Sequence, residues 1–196
     1  MKSLSVSIVL IVLGLIVLMG GCSTYNSMVD LDENVENEWG KVQTAYQRRA
    51  DLIPNLVNTV KGVANFEKET LTSVVEARAK ATSITIDPTN VTPEQLQAFE
   101  QAQSGISQSL GRLLMVSENY PELKASAAFV ELQTQLEGTE NRIKVARDRF
   151  NDVVTAYNKK VRRFPGSLFA SMFGFKQKAQ FQAAEAAQNA PTVTFE

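Results

Sequence analysis

Histidine is absent from this sequence of 196 residues, and cysteine occurs once, at Cys22. Without histidine the chain cannot build a Ser-His-Asp triad or another imidazole-based acid–base site. A single cysteine allows no internal disulfide and, with no histidine, none of the usual zinc sites. The chain also has no large excess of positive or negative charge, because it contains 20 Lys and Arg residues and 21 Asp and Glu residues. Its net charge therefore does not favour nucleic acid as a partner. The residues predict no enzyme and no cofactor.

A long apolar run is present at the N-terminus, where no charged residue occurs between Leu4 and Gly21. A single-pass membrane helix needs about twenty such residues, whereas a secretory signal needs a basic start, an apolar stretch and small residues at the cleavage site. The segment Leu18–Cys22 resembles the lipobox of bacterial lipoproteins, which makes Cys22 a candidate for lipidation. Residues 1–21 are therefore predicted to be a transmembrane helix or a lipoprotein signal peptide, and both alternatives stay open.

The charges that flank this leader predict its orientation. Lys2 precedes the apolar run, and the next Lys or Arg is Lys41. The positive-inside rule then places the N-terminus in the cytoplasm and the remainder of the chain on the extracytoplasmic side. Lipidation of Cys22 would place the folded part on the same side. We expect a bilayer partner at the N-terminus.

The remainder of the chain has a helical pattern throughout. Apolar residues recur at three- and four-residue spacings, which indicates amphipathic helices. They include Met28, Leu31, Val35, Val42, Tyr46, Leu56, Val60, Val63, Leu71 and Val74. Pro54 interrupts this stretch without a cluster of loop residues around it, and proline removes one helical hydrogen bond. The pattern favours one long helix kinked at Pro54, and the alternative is two helices that meet there.

A loop and a strong helix start follow. Residues 82–92 contain Ser, Asp, Pro and Asn, which is typical of a loop. Thr92-Pro93-Glu94-Gln95 then supplies an N-cap hydroxyl, a proline at the first helical position and a glutamine three residues on, as in a capping box. The helix that it begins is predicted to end near Tyr120.

The last long helix has a heptad pattern. Its seam residues are Leu132, Leu136, Thr139, Ile143, Ala146, Phe150, Val153 and Tyr157. A helix from Glu122 to Phe164 would be about 65 Å long, so earlier helices must lie antiparallel along it. The predicted fold is all-α: an extended antiparallel up-and-down bundle of four helices that spans residues 22–175. A homo-oligomer that shares the seam is an alternative.

Several segments resemble the LemA family in order and spacing. They are Tyr25-Asn26-Ser27-Met28-Val29, Arg48-Arg49-Ala50-Asp51-Leu52-Ile53-Pro54-Asn55-Leu56-Val57, Glu76-Ala77-Arg78-Ala79, Tyr120-Pro121-Glu122-Leu123-Lys124-Ala125-Ser126, Leu132-Gln133, Leu136-Glu137-Gly138-Thr139-Glu140-Asn141-Arg142-Ile143, Ala146-Arg147, Asn151 and Asn158. The resemblance implies a bacterial membrane-anchored helical bundle with no established biochemical activity, and it supplies no catalytic residues. We therefore expect a scaffold or adaptor for an unidentified protein of the cell envelope.

Polar residues near Pro54 and on the heptad helix suggest an alternative function, the binding of a ligand. A ligand-binding envelope lipoprotein would use them as the walls of a polar groove, whereas in a scaffold they would pair with one another and Asn55 would bridge the carbonyl that Pro54 leaves free. The candidates are Arg48, Arg49, Asp51, Asn55, Arg78, Glu140, Asn141, Arg147 and Asn151.

The segment after the heptad helix is a candidate interaction surface. Its basic and aromatic residues suit a membrane surface, but a short helix that caps the end of the bundle is favoured. The membrane-surface candidates are Lys159, Lys160, Arg162, Arg163, Phe169 and Phe173. Residues 176–196 are rich in Gln and Ala and are predicted to be a frayed helix that leads into a flexible tail.

Overall fold

The computed structural model describes residues 2–62 and 66–182, without the side chains of residues 2–19 and Asn90. All regular secondary structure in these ranges is helical, which confirms the all-α prediction. The helices are α1 (Lys2–Lys61), α2 (Lys68–Thr82), α3 (Pro93–Ser117), α4 (Pro121–Lys124), α5 (Ala127–Arg162) and α6 (Gly166–Phe173), with one 3-10 turn at Pro88–Asn90.

α1 passes through Pro54 without interruption and ends at Lys61. The prediction that one helix passes through Pro54 is therefore confirmed, and the kink there stays a prediction. The expected extension to Val74 is wrong, because Val74 belongs to the separate helix α2. The chain leaves α1 at Gly62, which forms a turn.

α1 and α5 form the longest helix pair, and they run antiparallel. The rings of Trp39 and Phe150 lie 5.3 Å apart between centroids, and Arg49 bonds Glu140, so residue numbers rise along α1 as they fall along α5. α3 lies beside α1 in the same direction, since the rings of Tyr46 and Phe99 are 5.0 Å apart and Arg49 reaches further along α3. α2 packs against both α1 and α3.

The buried apolar side chains form two clusters along the helices. The first surrounds Trp39 and joins the middle of α1 to the start of α3, the second half of α5, α6 and Phe181. The second joins α1 beyond Ile53 to α2, α3, α4 and the start of α5. Arg49 lies between the two clusters in the α1 sequence, so the buried polar site occupies the middle of the core.

α3 begins as its sequence predicts. The Thr92 side chain accepts a hydrogen bond from the backbone N–H of Gln95, and the Gln95 side chain accepts one from the N–H of Thr92, both at 3.2 Å. This reciprocal pair is a complete capping box. α3 ends at Ser117, close to the predicted end at Tyr120.

α5 confirms most of the predicted heptad seam, including Tyr157, and corrects the bounds of the helix and the layer at Val153. The helix begins at Ala127, because the short α4 takes up Pro121–Lys124, rather than at the predicted Glu122. Val154 is buried where the heptad pattern places Val153, and the buried series continues through Tyr157 to Val161. An α-helix has 3.6 residues per turn, so a strict 3.5 repeat drifts off the buried face within a few turns.

The predicted leader, residues 1–21, falls mostly on residues whose side chains are not described; the backbone is helical from Lys2 and continuous with the rest of α1. In the part of the chain whose side chains are described, no helix is long and apolar enough to cross a membrane.

Candidate functional site

Arg49 is the most deeply buried charged residue of the predicted site, with 2% of its surface exposed. Its Nη1 donates to Glu140 of α5 at 2.8 Å and to the Ser107 hydroxyl of α3 at 3.1 Å. Its Nη2 donates to the backbone carbonyl of Gln103 at 3.2 Å and also to the side-chain oxygen of that residue. The guanidinium lies 5.1 Å from the ring centroid of Tyr46. One side chain of α1 thus holds α3 and α5 together.

Arg147 forms a second charged pair on the same side of the bundle. Its Nη2 donates to Glu100 of α3 at 2.5 Å, and its guanidinium lies 4.5 Å from the ring centroid of Phe181. Burial raises the pKa of Glu100, and the positive charge of Arg147 only partly offsets this effect. Arg147 and Glu100 therefore neutralise each other within the chain.

Arg78 satisfies a backbone group that Pro54 leaves free. A helical N–H bonds the carbonyl four residues earlier, and proline has no N–H, so the carbonyl of Ala50 loses its helical donor. Arg78 of α2 donates from Nε to this carbonyl at 2.8 Å. The sequence pattern assigns that role to Asn55, which is exposed instead. An arginine on the adjacent helix therefore replaces the bond that the proline removes.

Other predicted groove residues are not brought together. Arg48, Asp51, Asn55 and Asn141 are exposed. Asp51 accepts a hydrogen bond from Gln47 one turn earlier on α1, a contact within one helix. The residues that flank Pro54 and those on α5 therefore meet only through Arg49 and Glu140, and the predicted polar groove is reduced to an internal ion pair.

Residues 175–182 form an extended strap along α5. Asn158 accepts from the backbone N–H of Lys178 at 2.9 Å and donates to the carbonyl of that residue at 2.8 Å. Asn151 does the same with Phe181, at 2.9 and 3.0 Å. The two asparagines are two helical turns apart, about 10.5 Å, and the three-residue step of an extended strap covers about 10 Å. The spacings match, so both amides bind the strap backbone.

The strap corrects the prediction for residues 176–182. Their composition predicts a frayed helix, but the segment is extended and its Lys178 and Phe181 side chains are buried. A helical backbone would have bonded to itself, whereas the amides of Asn151 and Asn158 bind this backbone directly. The rest of the predicted tail, 183–196, lies outside the described residues.

The Lys178 side chain is buried, including its charged end. Its ammonium contacts the carboxylate of Asp32 on α1, donates to the carbonyl of Pro88 at 3.2 Å, and lies 5.4 Å from the ring centroid of Tyr157. Burial, with a smaller contribution from the Asp32 charge, raises the pKa of Tyr157 to about 12. A concavity of about 190 Å³ adjoins these groups. Nothing in the sequence pattern singles out Lys178, because its partner lies on the first helix, far away along the chain.

The membrane-surface candidates lie near the part of α1 that directly follows the predicted leader. Phe169 of α6 is half-buried against the core, whereas Phe173 is 52% exposed and lies 4.8 Å from Tyr25 between ring centroids. Lys159, Arg162 and Arg163 are exposed, and Lys160 is partly so; Cys22 is an exposed free thiol. α6 thus both packs on the bundle and leaves apolar side chains in solvent.

The charged side chains that come together between the helices are paired with one another. General acid–base work needs a titratable group within hydrogen-bond reach of a bound substrate, and Arg49, Glu140, Arg147 and Glu100 have their partners within the chain. Among the described residues, no group of three or more Cys, Asp or Glu side chains is suited to a metal ion.

Comparison with known proteins identifies a family and several relatives. A family model, that of the LemA family, matches residues 38–195. The chain is 28% identical over 160 residues to Protein LemA of Metamycoplasma hominis, an alignment that covers 82% of this chain and 69% of that protein. It is 26% identical over 187 residues to Magnetosome protein MamQ 2 of Paramagnetospirillum magneticum and 25% identical over 187 residues to Magnetosome protein MamQ of Magnetospirillum gryphiswaldense. Each of these two alignments covers 87% of this chain and 68% of the relative.

Proposed function

Because this chain belongs to the LemA family, we propose that it is a non-enzymatic, membrane-anchored helical bundle of the bacterial envelope that acts as a scaffold or adaptor for other envelope proteins. The observation that carries the proposal is the internal pairing of the buried charges. Arg49 is almost completely buried and uses both terminal nitrogens within the chain. A binding or catalytic site would instead present such groups to a ligand.

Anchoring at the N-terminus is part of the proposal. The uncharged run from Leu4 to Gly21 would either cross the bilayer or be removed so that Cys22 carries a lipid. In both cases the bundle stands on the extracytoplasmic side, because the only Lys or Arg before Lys41 is Lys2. α1, α2, α3 and α5 would then form an up-and-down four-helix bundle attached to the membrane at the α6 end.

Native mass spectrometry tests the scaffold against a ligand-binding protein. The full chain, extracted from its own membrane in a mild detergent, should have the mass of the polypeptide and any lipid attached to it. Glu140→Gln should change the free energy of unfolding, and this variant too should have only the mass of its own polypeptide and any attached lipid. A reproducible small-molecule adduct that is present in the wild type and absent from Glu140→Gln, at unchanged stability, would overturn the proposal and support a polar ligand site.

Partner contact needs a separate test. A photo-crosslinking amino acid at Met115 or Val145, both exposed apolar positions of the bundle, should give the same protein adducts in intact cells from one preparation to the next. The buried position Leu113 serves as the control, since its side chain is inaccessible. If the exposed positions give no more adducts than Leu113, the scaffold role is wrong.

A further inference from the structure

Two glycines allow α6 to pack closely, Gly21 against α1 and Gly166 against the end of α5. A Cβ on Gly21 would lie 2.9 Å from Cε1 of Phe169, so the absence of a side chain lets the phenyl ring approach the helix backbone. A Cβ on Gly166 would lie 2.3 Å from the carbonyl oxygen of Lys160, which leaves no room for another residue at the start of α6. α6 is therefore seated beside Gly21 and Cys22, where the apolar leader ends.

The outer face of this seated helix is apolar and exposed. On α6, Leu168 is 59% exposed, Met172 71% and Phe173 52%; Phe164, just before the helix, is 80% exposed, and the neighbouring Tyr25 is 38% exposed. These five account for more than half of the nine large apolar side chains that are exposed in the described part of the chain. Such a concentration of apolar surface in one place indicates an interaction site.

The charge around this face has one sign. From Val153 to Ala184 the sequence contains no Asp or Glu, but it contains six lysines and arginines. Lys178 pairs with Asp32. The other five take part in none of the ion pairs found among the described residues; they are Lys159, Lys160, Arg162, Arg163 and Lys176. The exposed apolar face is thus bordered by unpaired positive charge.

A concavity of about 340 Å³ lies between the basic residues and α1. Its lining includes Lys159, Lys160 and Arg163, together with Thr24 of α1 and the aromatic ring of Phe164, and it contains no carboxylate. Three cations at one concave surface suit a phosphate group. Apolar side chains beside such a group match the boundary between headgroups and acyl chains.

We propose that the exposed face of α6 (Leu168, Met172 and Phe173), together with Phe164 just before the helix and the basic border, forms a second membrane contact, which lies on an anionic bilayer beside the N-terminal anchor. The apolar side chains enter the acyl boundary, and Lys159, Lys160, Arg162 and Arg163 bind headgroup phosphates. The inference rests on the proposed N-terminal anchoring, which places this end of the molecule at the bilayer. A second copy of the chain fits the face less well, because it would bring like charges together, whereas anionic lipid supplies the opposite charge.

Tryptophan quenching in proteoliposomes tests the contact. Met172→Trp places the probe on the outer face, and Met115→Trp is a matched control, since the two methionines are 71% and 70% exposed. The arrangement of α1 and α3 puts Met115 about 50 Å along the bundle from Gly21. The native Trp39, 1% exposed, provides the background emission in every variant.

The full-length variants are reconstituted in phosphatidylcholine vesicles that contain phosphatidylglycerol and a lipid with a nitroxide in the upper acyl chain. The emission added by Met172→Trp should shift to shorter wavelength and lose most of its intensity, and that added by Met115→Trp should be unchanged. Phe164→Trp is a second probe of the same face and should behave as Met172→Trp does. Quenching that is equal at positions 172 and 115, or absent from both 172 and 164, would overturn the proposal.

Charge reversal tests the basic border. Lys159→Glu, Arg162→Glu and Arg163→Glu, introduced together with Met172→Trp, should remove most of the quenching, while the same number of reversals at Lys61, Lys68 and Lys124 should leave it in place. Quenching that survives reversal of the border, or that is equally strong in pure phosphatidylcholine, would contradict headgroup binding.

Vesicle flotation separates this inference from the proposed function. A Met172→Trp chain that floats with the vesicles while its added emission remains unquenched would retain the N-terminal anchor and overturn the α6 contact alone. A chain that does not float with the vesicles would overturn both. Far-ultraviolet circular dichroism and the unchanged emission of Trp39 show that each variant is folded.

Discussion

Arg78 on α2 donates a hydrogen bond of 2.8 Å to the backbone carbonyl of Ala50 on α1. This carbonyl lacks its helical donor because Pro54 stands four residues later and has no N–H. α1 nevertheless continues past the proline to Lys61. A side chain of the neighbouring helix therefore permits a proline within a long helix, and it fixes α2 against α1 at the same point.

Arg78→Leu should lower the free energy of unfolding by about 2 kcal/mol, because the Ala50 carbonyl is then left without a donor in a partly buried place. In a Pro54→Ala background the backbone N–H of residue 54 can bond that carbonyl, so the same Arg78→Leu change should cost about 1 kcal/mol or less. Urea denaturation of the four proteins measures this coupling. Arg48→Leu, at an exposed position on α1, is the control. Equal costs for Arg78→Leu in both backgrounds would show that Arg78 does not compensate for the proline.

Arg49→Met should lower the free energy of unfolding by about 3 kcal/mol, because the methionine keeps the apolar stem but leaves the buried side-chain oxygen of Gln103 without a donor. Glu140→Gln should cost about 1 kcal/mol, since Glu140 is 47% exposed and its amide can still accept the bond. Arg112 and Glu69 provide a surface comparison at 4.0 Å, with side chains 55% and 85% exposed. Arg112→Met should therefore change stability by less than about 0.5 kcal/mol. If Arg49→Met and Arg112→Met lowered the free energy of unfolding by similar amounts, Arg49 would have no special structural role.

Asn158→Ala should release part of the strap, because it removes both hydrogen bonds to Lys178. The expected loss is about 2 kcal/mol, at about 1 kcal/mol for each bond. Hydrogen exchange followed by mass spectrometry should show faster exchange across residues 176–182. Asn141→Ala is the matched control, an exposed asparagine on the same helix, and should leave both quantities unchanged. Protection of the strap that survives Asn158→Ala would mean that other contacts hold it.

Glu100 gives a pH dependence whose sign follows from its raised pKa. Burial raises this pKa in the folded state, so the folded protein binds a proton at Glu100 more tightly than the unfolded chain does. The stabilisation that results is present in full at low pH and is lost as pH rises through the folded-state pKa. The wild type should therefore gain stability relative to Glu100→Gln as the pH is lowered from about 7 to about 4. Denaturant midpoints for the two proteins across this range measure the difference, and a trend of the opposite sign would show that the Arg147 pair dominates.

Local sequence signals were sufficient for much of the fold. The capping box at Thr92 depends on four consecutive residues, and it forms as predicted. The apolar spacing located α5, although a strict heptad pattern chose Val153 where the helical repeat buries Val154. The sequence pattern does not predict the end of α1 near Gly62, because the apolar spacing resumes in α2 and the two helices look like one.

Contacts between distant segments could not be read from the sequence. A Gln- and Ala-rich segment predicts a frayed helix, and only the positions of Asn151 and Asn158 on the folded α5 turn it into an extended strap. Asn55 is nearest in sequence to the backbone gap left by Pro54, but Arg78 from the next helix fills it. Both cases depend on which helices become neighbours, which propensity and spacing do not specify.

The anchoring claim has one direct test, made on the full chain in its own bacterial membrane. Membranes are washed with alkaline carbonate, and the N-terminal peptide of the protein that remains is measured by mass spectrometry. The account predicts that the protein stays with the washed membrane and that its N-terminal peptide either retains the leader or begins at a diacylglyceryl-modified Cys22. Release by the wash, with an N-terminus that has lost the leader and bears no lipid, would contradict it.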